Sequence, residues 1–254
     1  MESYAAFARY YDCLSANMDY KKRVEYLCTL LCDANAAPQG QNLVLDLACG
    51  TGTYSYALQA RGYDVIGIDR SIEMLNAALE KGESLSTAPP LFLCQRLEDL
   101  DLYGTAQAAV CLTDSVNHIT QPDHLCRFFK RLSLFLDRGG VFVFDVNTLH
   151  KQKDILANNA FLFEDEAHGV FCAWQNEWHP KSKTTQITLD LFTRDGERYV
   201  RAHESFAERV YERNEIEDML RRAGFVLEHV YDELTQSPPS QTSQRLFFVA
   251  RKKG

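Results

Sequence analysis

The chain has 254 residues, of which 46% are hydrophobic and 24% charged, a composition typical of a globular protein with a substantial core. Its net charge of −8 disfavours a nucleic-acid partner, because proteins that bind polyanions usually present a basic face. No apolar run approaches the roughly 18 residues of a membrane-spanning helix, and the first residues lack the features of a signal peptide. Eight cysteines without a C-x-x-C pair predict a reduced, cytoplasmic setting and no zinc site.

The first 36 residues carry apolar and aromatic side chains at helical spacing, ahead of a break at Pro38-Gln39-Gly40. One stripe contains Tyr10 and Tyr11, and a second begins at Tyr20. Stripes of this kind usually pack in a core, but the face of a tyrosine ring also attracts a cationic ligand. We therefore expect either core packing or one wall of a ligand cleft from these helices.

The most informative stretch is Val44–Thr53, with the sequence VLDLACGTGT. It predicts a buried strand that turns on glycine and opens a helix over 53–61. A second strand over 64–69 ends in Asp69, which lies 19 residues beyond Gly50. An acid at this distance can bind both hydroxyls of a ribose, so the stretch predicts a nucleoside-binding βαβ unit.

The glycine loop favours one class of nucleoside over others. The run Gly50-Thr-Gly52-Thr-Tyr-Ser55 lacks the third glycine of a dinucleotide fingerprint, which weighs against a nicotinamide-dependent oxidoreductase. The chain also lacks the G-x-x-x-x-G-K-[ST] phosphate loop. Asp46 would repel a pyrophosphate and would suit a cationic ligand, so we expect a positively charged nucleoside here.

The pattern of helices and strands changes twice along the chain. Up to about residue 150 it predicts, after the βαβ unit, helix 71–81, strands 91–95 and 107–112, helix 122–136 and strand 140–146. Between 151 and 210, apolar and polar residues alternate, and the turn Arg194-Asp-Gly196 predicts antiparallel hairpins. The remainder predicts helix 214–223 and two strands, 225–231 and 245–251, whose short connection makes them an antiparallel pair.

The run V-L-D-L-A-C-G-T-G resembles motif I of the class I S-adenosylmethionine-dependent methyltransferases, whose usual form is V-L-D-x-G/A-C-G-T-G. The resemblance implies an α/β fold with a Rossmann-like, seven-stranded, mostly parallel sheet that ends in an antiparallel C-terminal hairpin. With the patterns above, it divides the chain into an N-terminal helical lid over 1–40, a cofactor-binding core over 41–150 and 211–254, and an antiparallel β insertion over 151–210. The implied cofactor, S-adenosyl-L-methionine, carries a sulfonium and an ammonium but no phosphate.

The resemblance places cofactor contacts at the ends of the core strands. Asp46 faces the methionine ammonium and Asp69 binds the ribose hydroxyls, although Asp46 could instead cap loop amides. The acid usual after the third strand is replaced here by Arg96, so Glu98 or a backbone carbonyl must take its part. Met74 has helix packing as an equally good interpretation. The full predicted set is Tyr11, Tyr20, Asp46, Ala48, Gly50, Gly52, Asp69, Arg70, Met74, Leu97, Glu98 and Thr113.

The methyl acceptor is expected beside the segment Thr113–His118, because ligands bind at the carboxyl ends of parallel strands. Asp114 could orient the acceptor and His118 could take its proton. Their alternative roles are to satisfy turn amides and to cap the next helix. Trp174 and Trp178 are expected either to roof the acceptor pocket or to pack within the insertion.

These features predict a cytoplasmic methyltransferase, monomeric or homodimeric, that acts on a nitrogen or oxygen atom of a small molecule. Neither a metal nor a nucleic-acid or membrane partner is expected. Three alternatives stay open: methylation of RNA or protein, a nicotinamide-dependent oxidoreductase, and a cofactor-binding module without catalysis. The sequence leaves the acceptor itself unspecified.

Overall fold

The computed structural model describes residues 7–38, 42–85 and 88–254. The strands in chain order are β1 (Leu43–Leu47), β2 (Asp64–Asp69), β3 (Leu91–Cys94), β4 (Ala106–Cys111), β5 (Leu136–Asn147), β6 (Ala160–Asp165), β7 (Val170–His179), β8 (Thr184–Asp195), β9 (Arg198–Arg209), β10 (Phe225–Asp232) and β11 (Arg245–Lys252). The helices are α1 (Tyr11–Leu14), α2 (Tyr20–Asp33), α3 (Thr53–Gln59), α4 (Ile72–Ser84), α5 (Pro122–Phe135) and α6 (Arg213–Arg222). None of the helices described is both long enough and apolar enough to cross a membrane.

Seven strands form the larger sheet in the order β10-β11-β5-β4-β1-β2-β3. The pairs β1–β2, β1–β4, β2–β3 and β4–β5 are parallel, whereas β11 runs antiparallel to both of its neighbours. This confirms the predicted Rossmann-like sheet with an antiparallel C-terminal hairpin. The order of the strands reverses between β1 and β4, and ligands of such sheets bind outside the carboxyl ends of the strands at that point.

Two hydrophobic clusters hold helices against the faces of this sheet. Alternate residues of each strand belong to different clusters, as the period-two geometry of a strand requires. One cluster joins the sheet to α5 and α6 through Leu125, Phe128, Phe129, Leu132, Ile216 and Leu220. The other joins it to α2 and α3 through Val24, Leu27, Leu31 and Leu58.

Four strands form the smaller sheet in the order β6-β7-β8-β9, and all of its pairs are antiparallel, as predicted. Its buried face packs against Phe7, Tyr10 and Leu14 of the N-terminal segment. The amide of Phe7 also donates a hydrogen bond of 2.7 Å to Oε1 of Glu204 on β9. The N-terminal segment 7–14 therefore contacts the insertion, whereas α2 packs on the core.

The structure differs from the predicted elements at three places. Strand β5 begins at Leu136 rather than at 140, because Leu136 already pairs with Ala106. The predicted helical region 1–36 is interrupted between α1 and α2, and residues 1–6 of it lie outside those described. The insertion, predicted as antiparallel hairpins over 151–210, instead opens with a π-helical turn, Lys151–Leu156.

Candidate active site

A cavity of about 640 Å³ lies at the carboxyl ends of β1 to β4 and is covered by the insertion sheet. Every predicted cofactor and catalytic residue lines it except Gly52. The N-terminal segment also contributes to the wall. Lining residues that the sequence analysis did not single out include Phe163, Ile187, Phe206 and Glu208 of the insertion, together with Lys151 and Arg245.

The two loop glycines have different surroundings, although both have a positive φ. Gly50 has φ +53°, and a Cβ built there would meet no protein atom within 4 Å, so its open side belongs to the cavity. Gly52 has φ +73°, and a Cβ there would lie 3.0 Å from Phe92 Cζ and 3.1 Å from Ala78 Cβ. Gly52 thus meets a packing requirement against β3 and α4 and is not among the residues that line the cavity, while its predicted contact with the cofactor stays a prediction.

Asp69 connects the glycine loop to the next helix. Its Oδ2 accepts a hydrogen bond of 2.9 Å from the Gly50 amide, and its Oδ1 accepts one of 2.9 Å from the Ser71 amide. Burial raises the pKa of Asp69, and the two amides partly oppose that shift. The carboxylate thus has a structural role besides its predicted contact with a ribose.

Asp46 is a buried carboxyl at the end of β1, only 2% exposed. The Ser55 hydroxyl donates a hydrogen bond of 2.5 Å to its Oδ2, which ties the carboxyl to the first turn of α3. Burial raises the pKa of Asp46 to about 6, with a further contribution from Asp69. A carboxylate whose ionised form is disfavoured in this way would be stabilised by a cationic ligand in the cavity.

The N-terminal segment is tied to the glycine loop through Asp12. Its carboxylate accepts a hydrogen bond of 2.7 Å from the Thr51 hydroxyl and lies 2.8 Å from Nζ of Lys81. Lys81 in turn donates to the Thr53 hydroxyl at 2.6 Å. These contacts hold the segment that carries Tyr11 next to the loop, in the position expected of a lid.

Tyr20, the other tyrosine predicted to contact the cofactor, lines the cavity from the first turn of α2. Its hydroxyl donates to the Ser15 hydroxyl at 3.2 Å, and its ring lies edge-on to Tyr54 with centroids 5.5 Å apart. Burial raises the pKa of Tyr20, so its hydroxyl stays protonated.

The turn after β3 forms another part of the cavity wall. Arg96 donates a hydrogen bond of 2.9 Å from Nε to Glu98, and His124 Nδ1 lies 3.7 Å from the same carboxylate. Burial alone would raise the pKa of Glu98, but its backbone amide and Arg96 outweigh that effect and lower it. Arg96 therefore pairs with Glu98, while Met74 and Leu97 supply apolar wall.

The turn after β4 is strained and is held by a buried ion-pair network. Thr113 and Asp114 both have φ +55°, and their amides donate to the two oxygens of Asp145 at 3.0 and 2.6 Å. Arg245 bridges Asp145 at 2.6 Å and Asp114 at 2.7 Å. Although burial opposes it, Arg245 holds the pKa of Asp114 well below its usual range, and Lys151 adds to this effect. Asp114 is thus a permanently ionised, paired group.

His118 lies at the end of the same turn. Its Nε2 is 3.7 Å from Oε1 of Glu208, and its ring packs 5.2 Å from that of Phe206. Burial lowers the pKa of His118 to about 4, although Asp114 opposes this, so the imidazole is neutral near pH 7. The neighbouring Asn117 is fully buried and bonds to the backbones of Asn147 and Arg209, which gives it a structural role.

The two tryptophans of the insertion differ in position. Trp174 lines the cavity, donates a hydrogen bond of 2.5 Å to Asn176, and lies 5.9 Å from the ring of Phe163. Trp178 is not among the lining residues, and its backbone amide donates to Asn158 Oδ1. Of the two, Trp174 therefore lies at the cavity, and its role as a roof over the acceptor stays a prediction.

The cavity presents groups whose chemistry suits S-adenosylmethionine. The open side of Gly50 leaves room for a ligand against the loop backbone, and Asp69 offers a carboxylate at the end of β2. Asp46 and the tyrosine faces suit the positive charges of the ligand. These assignments of single residues stay predictions.

Comparison with known proteins identifies the family. The family model described as a methyltransferase domain matches residues 44–140. A Bacillus subtilis (strain 168) protein that carries the name methyltransferase YqeM is 32% identical over 250 residues, covering 98% of this chain and 97% of that protein. A crystal structure of an S-adenosylmethionine-dependent methyltransferase from Clostridium acetobutylicum ATCC 824 is 31% identical with a TM-score of 0.86 and covers 99% of both chains.

A third neighbour shares the fold at lower identity. The sugar N-methyltransferase KedS8 from Streptoalloteichus sp ATCC 53650 has a TM-score of 0.76 at 20% identity, over 100% of this chain and 94% of that chain. Together with the fold and the site, these relatives show that the chain belongs to the class I S-adenosylmethionine-dependent methyltransferases. It is an enzyme, and S-adenosyl-L-methionine is its cofactor. The nicotinamide-dependent and non-catalytic alternatives are thereby set aside.

The loop glycines should respond differently to alanine. Gly50→Ala should lower the unfolding free energy only by the strain of a left-handed backbone, about 1–2 kcal/mol, because its Cβ enters open space. The same Cβ should weaken S-adenosylmethionine binding at least about tenfold, because that open space belongs to the cavity. Gly52→Ala should lose more unfolding free energy, because its Cβ also meets Phe92 and Ala78. Thermal denaturation and calorimetric titration measure the two effects. Normal cofactor affinity in Gly50→Ala would place the cofactor away from this loop.

Asp46 should make stability depend on pH. The pKa of Asp46 is about 6 in the folded protein, above its value in the unfolded chain. Its contribution to folding stability is therefore fully present below about pH 4 and is lost as the pH rises through 6. The unfolding free energy of Asp46→Asn minus that of the wild type should therefore be about 1–3 kcal/mol more positive at pH 8 than at pH 4. Denaturant unfolding of this variant at both pH values, with the exposed Asp64→Asn as control, tests the sign. A pH-independent difference would contradict it.

Proposed function

We propose that the enzyme methylates a nitrogen or oxygen atom of a small-molecule acceptor, which binds between the ends of β4 and β5 and the insertion sheet. The main support is the roof of the cavity. Phe163, Trp174 and Phe206 of the insertion face the same space as Gly50 and Asp69 of the core. A covered space suits a small acceptor, whereas an RNA acceptor would need an open and basic surface.

When bound, S-adenosylmethionine supplies a methyl group already activated by the positive charge on sulfur. The protein then has to orient two reactants and exclude water. In this proposal, residues 41–150 and 211–254 bind the cofactor, with Asp46 at its ammonium and Asp69 at its ribose. The predicted N-terminal lid, described over residues 7–38, and the insertion 151–210 close the acceptor space.

Isotope labelling tests the class of acceptor. The enzyme is incubated with methyl-labelled S-adenosylmethionine and, separately, with the small-molecule, RNA and protein fractions of a bacterial extract. We expect label in the small-molecule fraction only. Label in RNA or protein, with none in small molecules, would assign the macromolecular alternative.

The tryptophans provide a matched pair of variants. Trp174→Ala should lower kcat/KM for the labelled acceptor at least about tenfold, because a large rigid ring is lost from the acceptor wall. Its affinity for S-adenosylmethionine should stay within about threefold, a difference below about 0.7 kcal/mol. Trp178→Ala, outside the cavity lining, should leave both quantities within about threefold of the wild type. Equal loss of turnover in both variants would refute the assignment of the roof to Trp174.

A further inference from the structure

A buried carboxyl from the insertion forms part of the acceptor side of the cavity. Glu208 on β9 lines the cavity and is 5% exposed. Its Oε2 accepts hydrogen bonds from Gln152 Nε2 and, at 3.4 Å, from Asn147 Nδ2. Its Oε1 lies 3.7 Å from Nε2 of His118. Across the described ranges, no lysine or arginine nitrogen lies within 4 Å of this carboxyl.

Glu208 forms no ion pair with a lysine or arginine among the described residues, although the charge of Lys151 acts on it. Arg245 is engaged with Asp114, and Lys151 donates to Asn147 at 3.0 Å. His118 is neutral near pH 7 because burial lowers its pKa. Burial raises the pKa of Glu208 and the nearby Asp114 carboxylate raises it further, while the hydrogen bonds from Asn147 and Gln152 and the charge of Lys151 partly oppose that shift. A cation that enters the cavity would therefore gain more from Glu208 than from the already paired Asp114.

The same residues form an arrangement of ligand atoms that suits a small cation. One atom each of Asp114, His118 and Glu208 lies within 4.8 Å of the others. Because Lys151 and Arg245 are close by, a doubly charged metal ion would meet stronger repulsion than a singly charged group would. An organic ammonium group fits this balance of charges better.

We infer that the acceptor carries an amino group, that this group binds at Glu208 beside His118, and that Glu208 takes the proton which the nitrogen must lose before methylation. The inference rests on the proposed small-molecule function and names the chemical class of its substrate. Glu208 would then be a catalytic residue, in direct contact with the reacting nitrogen.

The reaction balances with the groups present. The bound ammonium gives one proton to the Glu208 carboxylate, which frees the lone pair of the nitrogen. The nitrogen forms a bond to the methyl carbon while the carbon–sulfur bond breaks, and the electron pair of that bond stays on sulfur. The products are a methylated ammonium and S-adenosylhomocysteine, and Glu208 returns its proton to water after release.

Acid strength favours an amine over an aliphatic hydroxyl. An alkylammonium has a pKa of about 10, and burial raises the pKa of the Glu208 carboxyl, which reduces the difference in acid strength between the two groups. An aliphatic hydroxyl is a far weaker acid, so the same carboxylate could remove its proton only at great cost. The apolar wall of Trp174, Phe163 and Phe206 would receive the hydrocarbon part of the acceptor.

Binding of a matched pair of probes tests the inference. Benzylamine and benzyl alcohol have the same shape and differ in the group that would meet Glu208. We expect the complex of the enzyme with S-adenosylhomocysteine to bind benzylamine at least about tenfold tighter in calorimetry at pH 8. The preference should fall at about pH 6, because Glu208 becomes protonated.

Two variants separate Glu208 from the rest of the insertion. Glu208→Gln keeps the shape but cannot ionise, so it should abolish both the preference for the amine and its pH dependence. Glu177→Gln, which removes an acid of the same sheet that is 72% exposed, should retain both. Unchanged affinity for S-adenosylhomocysteine shows that each variant is folded.

Three results would overturn the inference. Benzyl alcohol could bind as tightly as benzylamine, or the preference could survive in Glu208→Gln. The third is Mg²⁺ binding that depends on Glu208 without any preference for the amine, which would assign the cluster to a metal ion. The labelling experiment distinguishes this inference from the proposed function. A labelled alcohol would overturn the inference of an amine acceptor alone, whereas labelled RNA would overturn the proposed function.

Discussion

One buried guanidinium organises the wall of the cavity at the ends of β4 and β5. Arg245, 4% exposed, bridges Asp114 and Asp145, and Asp145 also accepts the amides of the strained turn after β4. Removing one member of such a network would leave a buried charge without compensation, which is strongly destabilising. These contacts hold the backbone of Thr113 and Asp114 at a positive φ and offset the strain of that conformation. The position of His118, which follows in the same turn, depends on this network.

The cavity contains carboxyls whose burial works against the stability of the free protein. Asp46 and Glu208 both line it, and burial raises the pKa of both. Each would be stabilised by a positive charge in the cavity, which in our proposal comes from the cofactor at Asp46 and from an amine at Glu208. In that proposal, ligand binding relieves unfavourable burial, and perturbed groups of this kind are common at functional sites.

Residues near one another in the chain were the easiest to predict. Asp69 and Gly50 belong to one βαβ unit, so the spacing between them was enough to place both at the cavity. The same local pattern could not show that Gly52 faces Phe92, because that ring comes from a strand further along the chain. Trp174 and Trp178 share one face of β7 by alternation, yet only Trp174 lies over the cavity.

By itself, the sequence determined the order of strands and helices, the glycine loop and the acid that follows it, because each depends on local periodicity and spacing. Tertiary structure decided what surrounds them. Arg245 and Glu208 lie in β11 and β9, and nothing in their local sequence distinguishes them from surface charges. They become buried because the last strand inserts beside β5 and the insertion folds over the sheet. Long-range packing thus brings charged side chains together at a site that local patterns cannot reveal.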